Sequence, residues 1–192
     1  MEERGQIEVI CGPMFAGKTE ELIRRTNRLE YAKKNYVVFK PIIDDRYSKD
    51  EIVSHSNYRK KSIPVKDSKE MRKYLSIQEN LDAVVIDEAQ FFDDGIIDIA
   101  EELADQGLRV ICGGLDCDFR GIPFPVMANL LARAENVTKL TAICVCCGHP
   151  ATRTQRIVDG HEAYEDEPVV LVGAKEAYEP RCRKCHKVLK RG

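Results

Sequence analysis

The stretch QIEVICGPMFAGKT, residues 6–19, joins an apolar run to a turn rich in glycine. Residues 12–19 have the spacing Gly-x-x-x-x-Gly-Lys-Thr, in which backbone N–H groups converge on phosphate groups and the following helix adds the positive end of its dipole. The apolar run predicts a strand, and residues 19–34 predict an amphipathic helix. Strand, turn and helix in this order are the context that the motif requires. The sequence therefore predicts a nucleotide-binding loop.

Apolar and amphipathic segments alternate along most of the chain. Further strands are predicted at residues 36–43, 82–87, 109–115 and 139–144, and further helices at residues 68–78, 94–106 and 123–135. The first helix has a predicted apolar face of Leu22, Ile23, Leu29 and Tyr31. Residues 44–61 are charged and predict a long connection. This rhythm predicts an α/β fold of the P-loop NTPase (RecA-like) type, a parallel sheet flanked by helices.

Length and charge limit the classes of function. A chain of 192 residues has room for one domain, or for one domain and a small module. The net charge of −2 gives no overall case for nucleic acid as a partner. The sequence lacks an apolar run of about eighteen residues, and its start does not resemble a secretory signal. We therefore expect a cytoplasmic protein with no nucleic-acid and no membrane partner.

Two adjacent carboxylates follow the apolar strand in AVVIDEAQFF, residues 83–92. Asp87 is expected to hold Mg²⁺ together with the Thr19 hydroxyl, while Lys18 reaches the terminal phosphates. Glu88 can accept a proton either from water, giving an ATPase, or from a substrate hydroxyl, giving a kinase. The alternative is a surface glutamate after a strand. The residues that follow offer a polar contact and either apolar walls or core: Gln90, Phe91 and Phe92.

Eight cysteines in a cytosolic type of chain do not predict a disulfide framework. Four of them form two Cys-x-x-Cys pairs, and four thiolates in such pairs predict a closed, structural zinc site. The predicted ligands are Cys144, Cys147, Cys182 and Cys185. Replacement of a ligand by Cys146, His149 or His186 stays open, as does a redox dithiol. Because the composition changes after about residue 141, we predict a nucleotide-binding domain at 1–141 and a zinc-binding module at 142–192.

The 34 residues between the cysteine pairs, 148–181, exceed the needs of a minimal zinc ribbon. Asp159-Gly160 predicts a hairpin turn within them. Zinc would fix the ends of this excursion, which is a natural place for a second substrate beside the nucleotide; a purely structural module is the alternative. The basic end RKCHKVLKRG, residues 183–192, is interpreted as a solvated tail, with nucleic-acid contact as the alternative.

Five segments taken together resemble type II thymidine kinases, the small, zinc-bearing, tetrameric family. They are, in chain order, GPMFAGKT, DEAQFF, LDCDFRG, CVCC and YEPRCRKC. The resemblance implies transfer of the γ-phosphoryl group of ATP to the 5′-hydroxyl of thymidine, or of deoxyuridine, giving dTMP and ADP in nucleotide salvage. It also implies Mg²⁺, structural Zn²⁺, a homotetramer and the cytoplasm.

The resemblance also implies a role for individual residues. Glu88 would be the catalytic base, and Asp87 and Thr19 would hold magnesium. Nucleotide binding would involve Gly12, Pro13, Met14, Phe15, Ala16, Gly17, Lys18, Thr19, Asp87, Glu88, Ala89, Gln90, Asp44 and Arg46. Nucleoside binding would involve Met14, Phe91, Leu115, Phe119, Val169, Val170, Leu171, Val172, Gly173 and Tyr178. Zinc would be held by Cys144, Cys147, Cys182 and Cys185.

Residue chemistry agrees with these roles. Backbone groups of the VVLVG segment can pair with the edge of a pyrimidine, and Phe91 and Phe119 can wall its ring. One rival function is a nucleic-acid-dependent ATPase or helicase-like module, but the sequence has neither a second motor domain nor a basic face. Another rival is a nucleotide sensor without turnover, in which Glu88 would have no purpose.

Overall fold

The computed structural model describes residues 5–42, 62–169 and 176–191. Its strands are β1 (Gln6–Cys11), β2 (Tyr36–Pro41), β3 (Ile63–Val65), β4 (Ala83–Ile86), β5 (Arg109–Gly114), β6 (Asn136–Lys139), β7 (Ala142–Ile143), β8 (Pro150–Ala151), β9 (Arg153–Val158), β10 (His161–Glu162) and β11 (Glu176–Arg181). Its α-helices are α1 (Lys18–Tyr31), α2 (Ser68–Leu75), α3 (Gly95–Asp105) and α4 (Pro125–Arg133), and Ala89–Phe91 forms a short 3₁₀ helix.

Among the described residues, six strands form one parallel sheet in the order β3-β2-β4-β5-β1-β6. Because parallel strands end at the same edge of a sheet, the segments after β1, β4 and β5 meet there, where open α/β sheets bind their ligands. Strand β5 lies between the other two. The sheet therefore places the phosphate loop after β1 and Asp87 after β4 on either side of the segment that follows β5.

Both faces of the sheet are covered, which explains why its central strands are apolar at nearly every position. Alternate residues of β1, β4 and β5 pack on opposite sides. Val9, Ile86 and Val110 face α2, α3 and α4, whereas Ile10, Val85 and Ile111 face α1. The predicted α/β fold, with a small β module at its C-terminal end that could bind zinc, is thus confirmed.

The buried face of α1 differs from the prediction. Leu22 and Leu29 are buried as expected, but Tyr31 is 88% exposed because helical periodicity places it on the face opposite Leu22, and the prediction for Tyr31 was wrong. Arg25 is buried instead. It forms an ion pair with Glu8 in the middle of β1, a carboxylate that also pairs with Arg109 of β5.

Two strands of the structure, β3 and β6, differ from the strands predicted from the sequence. The predicted strand 139–144 is wrong, since β6 comes earlier and β7 leaves the large sheet to pair with β8. Strand β3 was not predicted, because three residues that include a proline give too short a pattern. Of the predicted connection 44–61, all residues lie outside the described parts of the chain.

The C-terminal module contains a three-stranded antiparallel sheet in the order β10-β9-β11. The predicted hairpin turn is confirmed, because Asp159 and Gly160 have φ values of 48° and 86° between paired strands, as a type I′ turn requires. The predicted boundary at residue 141 falls between β6 and β7 and stays a prediction. No helix in the described parts combines the length and apolarity needed to cross a bilayer.

Candidate active site

The phosphate loop lies between β1 and α1 in a conformation that only its sequence permits. Gly12 has a φ of 146°, and a Cβ atom there would lie 2.5 Å from the carbonyl oxygen of Leu140. Gly17 has a φ of 83° immediately before the helix. Phe15 also has positive φ and is exposed, whereas Pro13 is buried. The loop is therefore built from residues 12–17, with the helix N-terminus directly after it.

Lys18 and Thr19 occupy the first turn of α1. The Lys18 Nζ donates a hydrogen bond of 2.8 Å to the carbonyl of Pro13, so its ammonium group lies folded over the loop. Burial lowers the pKa of Lys18, while the charges of Glu88, Asp116 and Asp87 act in the opposite direction. A cation beside three carboxylates at the edge of a sheet is well placed to receive the phosphates of a nucleotide.

Asp87 follows β4, as predicted, and is buried. One carboxylate oxygen accepts the backbone N–H of Glu88 at 3.0 Å, and the other lies 3.1 Å from Nζ of Lys40. A carboxylate whose partner is an exchangeable lysine is chemically suited to a hard divalent cation. Asp87 is therefore suited to hold Mg²⁺, and the joint site with the Thr19 hydroxyl stays a prediction.

Glu88 is held by its neighbours in one orientation. The Gln90 Nε2 donates to Glu88 Oε2 at 2.6 Å, and Gln90 Oε1 accepts the backbone N–H of Leu115 at 3.0 Å. Burial raises the pKa of Glu88, as does the charge of Asp87, while the Gln90 hydrogen bond opposes the shift. A half-buried, oriented carboxylate with a raised pKa is suited to accept a proton in a reaction.

Three of the predicted nucleoside-binding residues, Met14, Phe91 and Leu115, follow β1, β4 and β5 at the same edge of the sheet. Phe91 lies in the short 3₁₀ helix and contacts Phe124 edge to face, with ring centroids 6.2 Å apart. The Met14 N–H donates to Thr154 Oγ1 of β9 at 3.1 Å, and Leu115 is half-buried. Phe124 and Thr154 could not be found from a local sequence pattern, because their partners are distant in the chain. Phe92 and Ala89, in contrast, belong to the hydrophobic core.

Phe119 is more enclosed than expected for a residue that walls an open pocket. Only 3% of it is exposed, and it packs with Val158 and Ala163. The Arg156 and Arg120 guanidinium groups lie 4.7 Å and 5.6 Å from its ring centroid. The ring can therefore form the back of a pocket, behind the residues that face the ligand.

The remaining predicted ligand-binding residues are Asp44, Arg46, Tyr178 and residues 169–173, the VVLVG segment that is predicted to cover the substrate and is called the covering segment. Val169 is half-buried, and Tyr178 lies half-buried on β11. Four predicted residues of the covering segment, Val170, Leu171, Val172 and Gly173, lie outside the described residues, and so do Asp44 and Arg46. Their assignments stay predictions.

Four sulfur atoms come together between the β7–β8 turn and the turn after β11. The Sγ atoms of Cys144, Cys147, Cys182 and Cys185 all lie within 4.8 Å of one another. The Cys147–Cys182 pair is 3.6 Å apart, close to the S···S separation of about 3.8 Å in a zinc–thiolate tetrahedron. Cys146 is exposed and is not among these four. The cluster therefore fits a structural zinc ion.

The zinc cluster is joined to both parts of the site. Ala16 of the phosphate loop packs against Ala142, Cys144 and Ala151. On the other side, the His186 Nε2 donates to the carbonyl of Phe119 at 2.7 Å, so this histidine serves as a structural contact. The cysteine cluster therefore supports the phosphate loop and the Phe119 segment together.

Comparison with known proteins gives one family and a general fold. A family model described as thymidine kinase matches residues 5–186. The flagellar accessory protein FlaH from Methanocaldococcus jannaschii is 12% identical, with a TM-score of 0.50 over 77% of this chain and 76% of that one. Domain III of the replication initiation protein DnaA from Thermotoga maritima is 15% identical, with a TM-score of 0.42 over 73% of this chain and 57% of that one. The FlaH likeness shows the fold alone.

Proposed function

The chain belongs to the thymidine kinase family, a family of nucleoside kinases, and from this premise we propose that it transfers the γ-phosphoryl group of ATP to the 5′-hydroxyl of thymidine. Deoxyuridine is an alternative acceptor. The products would be dTMP and ADP, and the role would be pyrimidine deoxynucleotide salvage in the cytoplasm. A homotetramer is proposed on the same family basis.

The observation that carries this proposal is the geometry of Glu88. Its carboxylate is half-buried, hydrogen-bonded to Gln90 and next to the carboxylate of Asp87. In the proposed reaction Glu88 accepts the proton of the 5′-hydroxyl while the oxygen attacks the γ-phosphorus in line with the departing ADP. Binding in this orientation removes much of the entropic cost of bringing two reactants together.

The proposed reaction also requires that negative charge on the transferred phosphoryl group be neutralised. Lys18 is positioned to exchange its hydrogen bond to Pro13 for one to the terminal phosphates, where it stabilises the transition state. When bound, Mg²⁺ held by Thr19 and Asp87 would neutralise charge on the β- and γ-phosphate oxygens. The rest of the proposed nucleotide site is residues 12–17, Ala89, Gln90, Asp44 and Arg46.

The nucleoside is proposed to bind between the phosphate-loop side and the zinc-supported module. Apolar side chains would wall its base, and backbone groups of the covering segment would pair with the base edge. The proposed residues are Met14, Phe91, Leu115, Phe119, Val169, Val170, Leu171, Val172, Gly173 and Tyr178. Exclusion of water by this segment would favour transfer to the sugar over hydrolysis.

The basic tail gives no support to the rival DNA-dependent ATPase. Lys190 lies 3.8 Å from Glu165 and Arg191 lies 3.2 Å from Asp166, so both cations pair with acids of the same chain. Leu189 also pairs by backbone hydrogen bonds with Ala163 and Glu165. These contacts fold the tail onto the module.

The test is ADP release from ATP and Mg²⁺ with thymidine, deoxyuridine, deoxycytidine or single-stranded DNA as the added compound. We expect thymidine to stimulate turnover and to yield one dTMP for each ADP. The Lys18→Ala variant is the matched control and should be inactive. Stimulation by DNA alone would support the ATPase instead, and no stimulation by any compound would support a nucleotide sensor.

A further inference from the structure

Arg156 is a fully buried arginine outside all the residues assigned above to binding or catalysis. It lies in the middle of β9 with an exposed fraction of 0%. Removing a guanidinium group from water is costly unless the protein supplies partners for it. The residues that contact the Arg156 guanidinium therefore indicate its role in the protein.

The Arg156 side chain joins two segments that are far apart in the sequence. Its guanidinium lies over the Phe119 ring, 4.7 Å from the centroid. Its Nη1 donates to the carbonyl oxygens of Pro168 at 2.6 Å and Val169 at 3.3 Å. Its Nη2 lies 3.6 Å from the Glu167 carboxylate. One planar group thus contacts an aromatic face and the backbone at residues 168–169 simultaneously.

The strand that carries Arg156 is itself held firmly. Alternate residues of a strand point to opposite faces. Thr154 accepts the N–H of Met14 in the phosphate loop. Gln155, on the other face, donates to the carbonyl and accepts the N–H of Lys187. Arg156 therefore projects from a support that is fixed on both sides.

We propose that Arg156 is a positioning residue for the nucleoside, which holds the Phe119 ring and the backbone of Pro168 and Val169 in one fixed arrangement. This inference rests on the proposed function, in which Phe119 and Val169 belong to the nucleoside site. The Arg156 guanidinium contacts Phe119, Pro168, Val169 and Glu167, so Arg156 acts through them.

An arginine is required because two of its properties are used together. The planar guanidinium stacks on an aromatic face and at the same time presents several N–H groups in a fixed fork. A lysine keeps the charge but has neither the plane nor the fork. Replacement by lysine should therefore loosen the link between Phe119 and residues 168–169 while a cation stays buried in the same place.

Loss of the Arg156 contacts should change one kinetic constant, KM for the nucleoside, more than the others. An interaction that orders the binding site equally before and during the reaction changes KM and leaves kcat nearly unchanged. The ATP side of the site is built on β1, α1 and β4, which Arg156 does not contact through any of the bonds described above. Loss of its contacts should therefore raise KM for the nucleoside selectively.

The experiment measures kcat and both KM values for zinc-loaded, full-length Arg156→Lys, with Arg120→Lys as the matched control. Arg120 also lies against Phe119, but its hydrogen bonds go to Asp118 of the same turn. We expect Arg156→Lys to raise the thymidine KM by about tenfold or more, the loss expected for a hydrogen bond to a charged group. The ATP KM, kcat and zinc content should stay near wild type, the thermal midpoint should fall but stay above the assay temperature, and Arg120→Lys should change none of the kinetic constants.

Three results would overturn the inference. They are an unchanged thymidine KM in Arg156→Lys, an equal rise in Arg120→Lys, and a rise of both KM values together with loss of zinc. If Arg156→Lys does not fold, Glu167→Gln replaces it, because it removes the negative charge next to Arg156 while keeping a side chain of the same size. It should raise the thymidine KM by a smaller factor, and an unchanged value would count against the inference. Wild-type turnover with thymidine in the same assay tests the proposed function separately.

Discussion

Gln90 shows how much a single side chain can decide at this site. Its Nε2 donates to Glu88 and its Oε1 accepts the N–H of Leu115, so these two partners determine the orientation of the Gln90 amide. The sequence predicts a polar contact beside Glu88. It cannot predict the bond to Leu115, because that residue is 25 positions away and comes close only when β4 and β5 pair.

Replacement of the base gives the most direct residue-scale prediction. Glu88→Gln should lower kcat by about 10²-fold or more, the usual effect of losing a general base. The amide keeps the size of the carboxylate, so KM for ATP should change little. Steady-state kinetics with thymidine measure both values. A kcat within a few-fold of wild type would remove Glu88 from the mechanism.

The raised pKa of Glu88 predicts a pH dependence. A base acts only when ionised, so kcat should fall as the pH decreases through a value above the ordinary 4.5 of a glutamate. Because the Gln90 N–H stabilises the charged form, Gln90→Met should raise the pKa further and move this acidic limb to higher pH. The pH profile of kcat for wild type and variant measures the shift. An unmoved limb, or one moved to lower pH, would contradict the assignment.

At the scale of elements, β1 and α1 are joined by a buried ion-pair cluster as well as by apolar contacts. Glu8 is 3% exposed and pairs with Arg25 of α1 and Arg109 of β5. Arg25 also donates to Thr138 of β6 at 2.7 Å. The strand before the phosphate loop and the helix after it are thus held to the neighbouring strands by the same set of charges.

This cluster predicts how stability depends on pH. Burial alone would raise the pKa of Glu8, but the hydrogen bonds and charges of Arg109 and Arg25 outweigh it and lower the pKa below 4.5. The contribution of Glu8 is therefore complete above the pKa of the unfolded chain and is lost as the pH falls through the lower, folded value.

Glu8→Gln should accordingly destabilise the protein by about 3 kcal/mol at neutral pH, as expected when a buried pair loses one partner. The difference from wild type should shrink as the pH falls below 4.5. Urea denaturation at several pH values measures it. Glu101→Gln is the control, because Glu101 pairs with Arg133 at the surface and should cost little. A Glu8 effect that stays constant with pH would contradict the argument.

The central strands of the parallel sheet, which are buried on both faces, could be predicted from the sequence, whereas the edge strands could not. β1, β4 and β5 are runs of apolar residues between clear turns, and the Asp67 side chain caps α2 by accepting the Glu70 N–H at 2.8 Å. β6 has exposed residues at most positions, so its sequence has no pattern to recognise. The apolar segment after it was interpreted as the strand instead.

At the scale of the whole molecule, the cysteine cluster connects the small module to the phosphate loop. Ala16 packs against it, Thr154 receives the Met14 N–H and His186 binds the Phe119 carbonyl. The spacing of the cysteines predicted the ligands, because metal sites use short, regular motifs. The contacts between the two parts depend on how they pack, and the sequence contains no local signal for them.

Loss of zinc should therefore affect the nucleoside more than the nucleotide. Cys182→Ser should release the metal, loosen the module and raise KM for thymidine more than KM for ATP. Metal analysis and steady-state kinetics of the same preparations measure both effects. Cys146→Ser is the matched control, since Cys146 is exposed and outside the cluster. Active wild-type protein without zinc would contradict the prediction.

Glu88 adopts a left-handed backbone conformation, with a φ of 53°. For a residue with a Cβ such a conformation costs about 1 kcal/mol or more, and glycine or asparagine avoids much of it. Selection for folding alone would favour one of those residues at position 88. An inactive Glu88→Gly protein with a higher thermal midpoint than wild type would therefore show that stability is lower at this position in exchange for a carboxylate that activity requires.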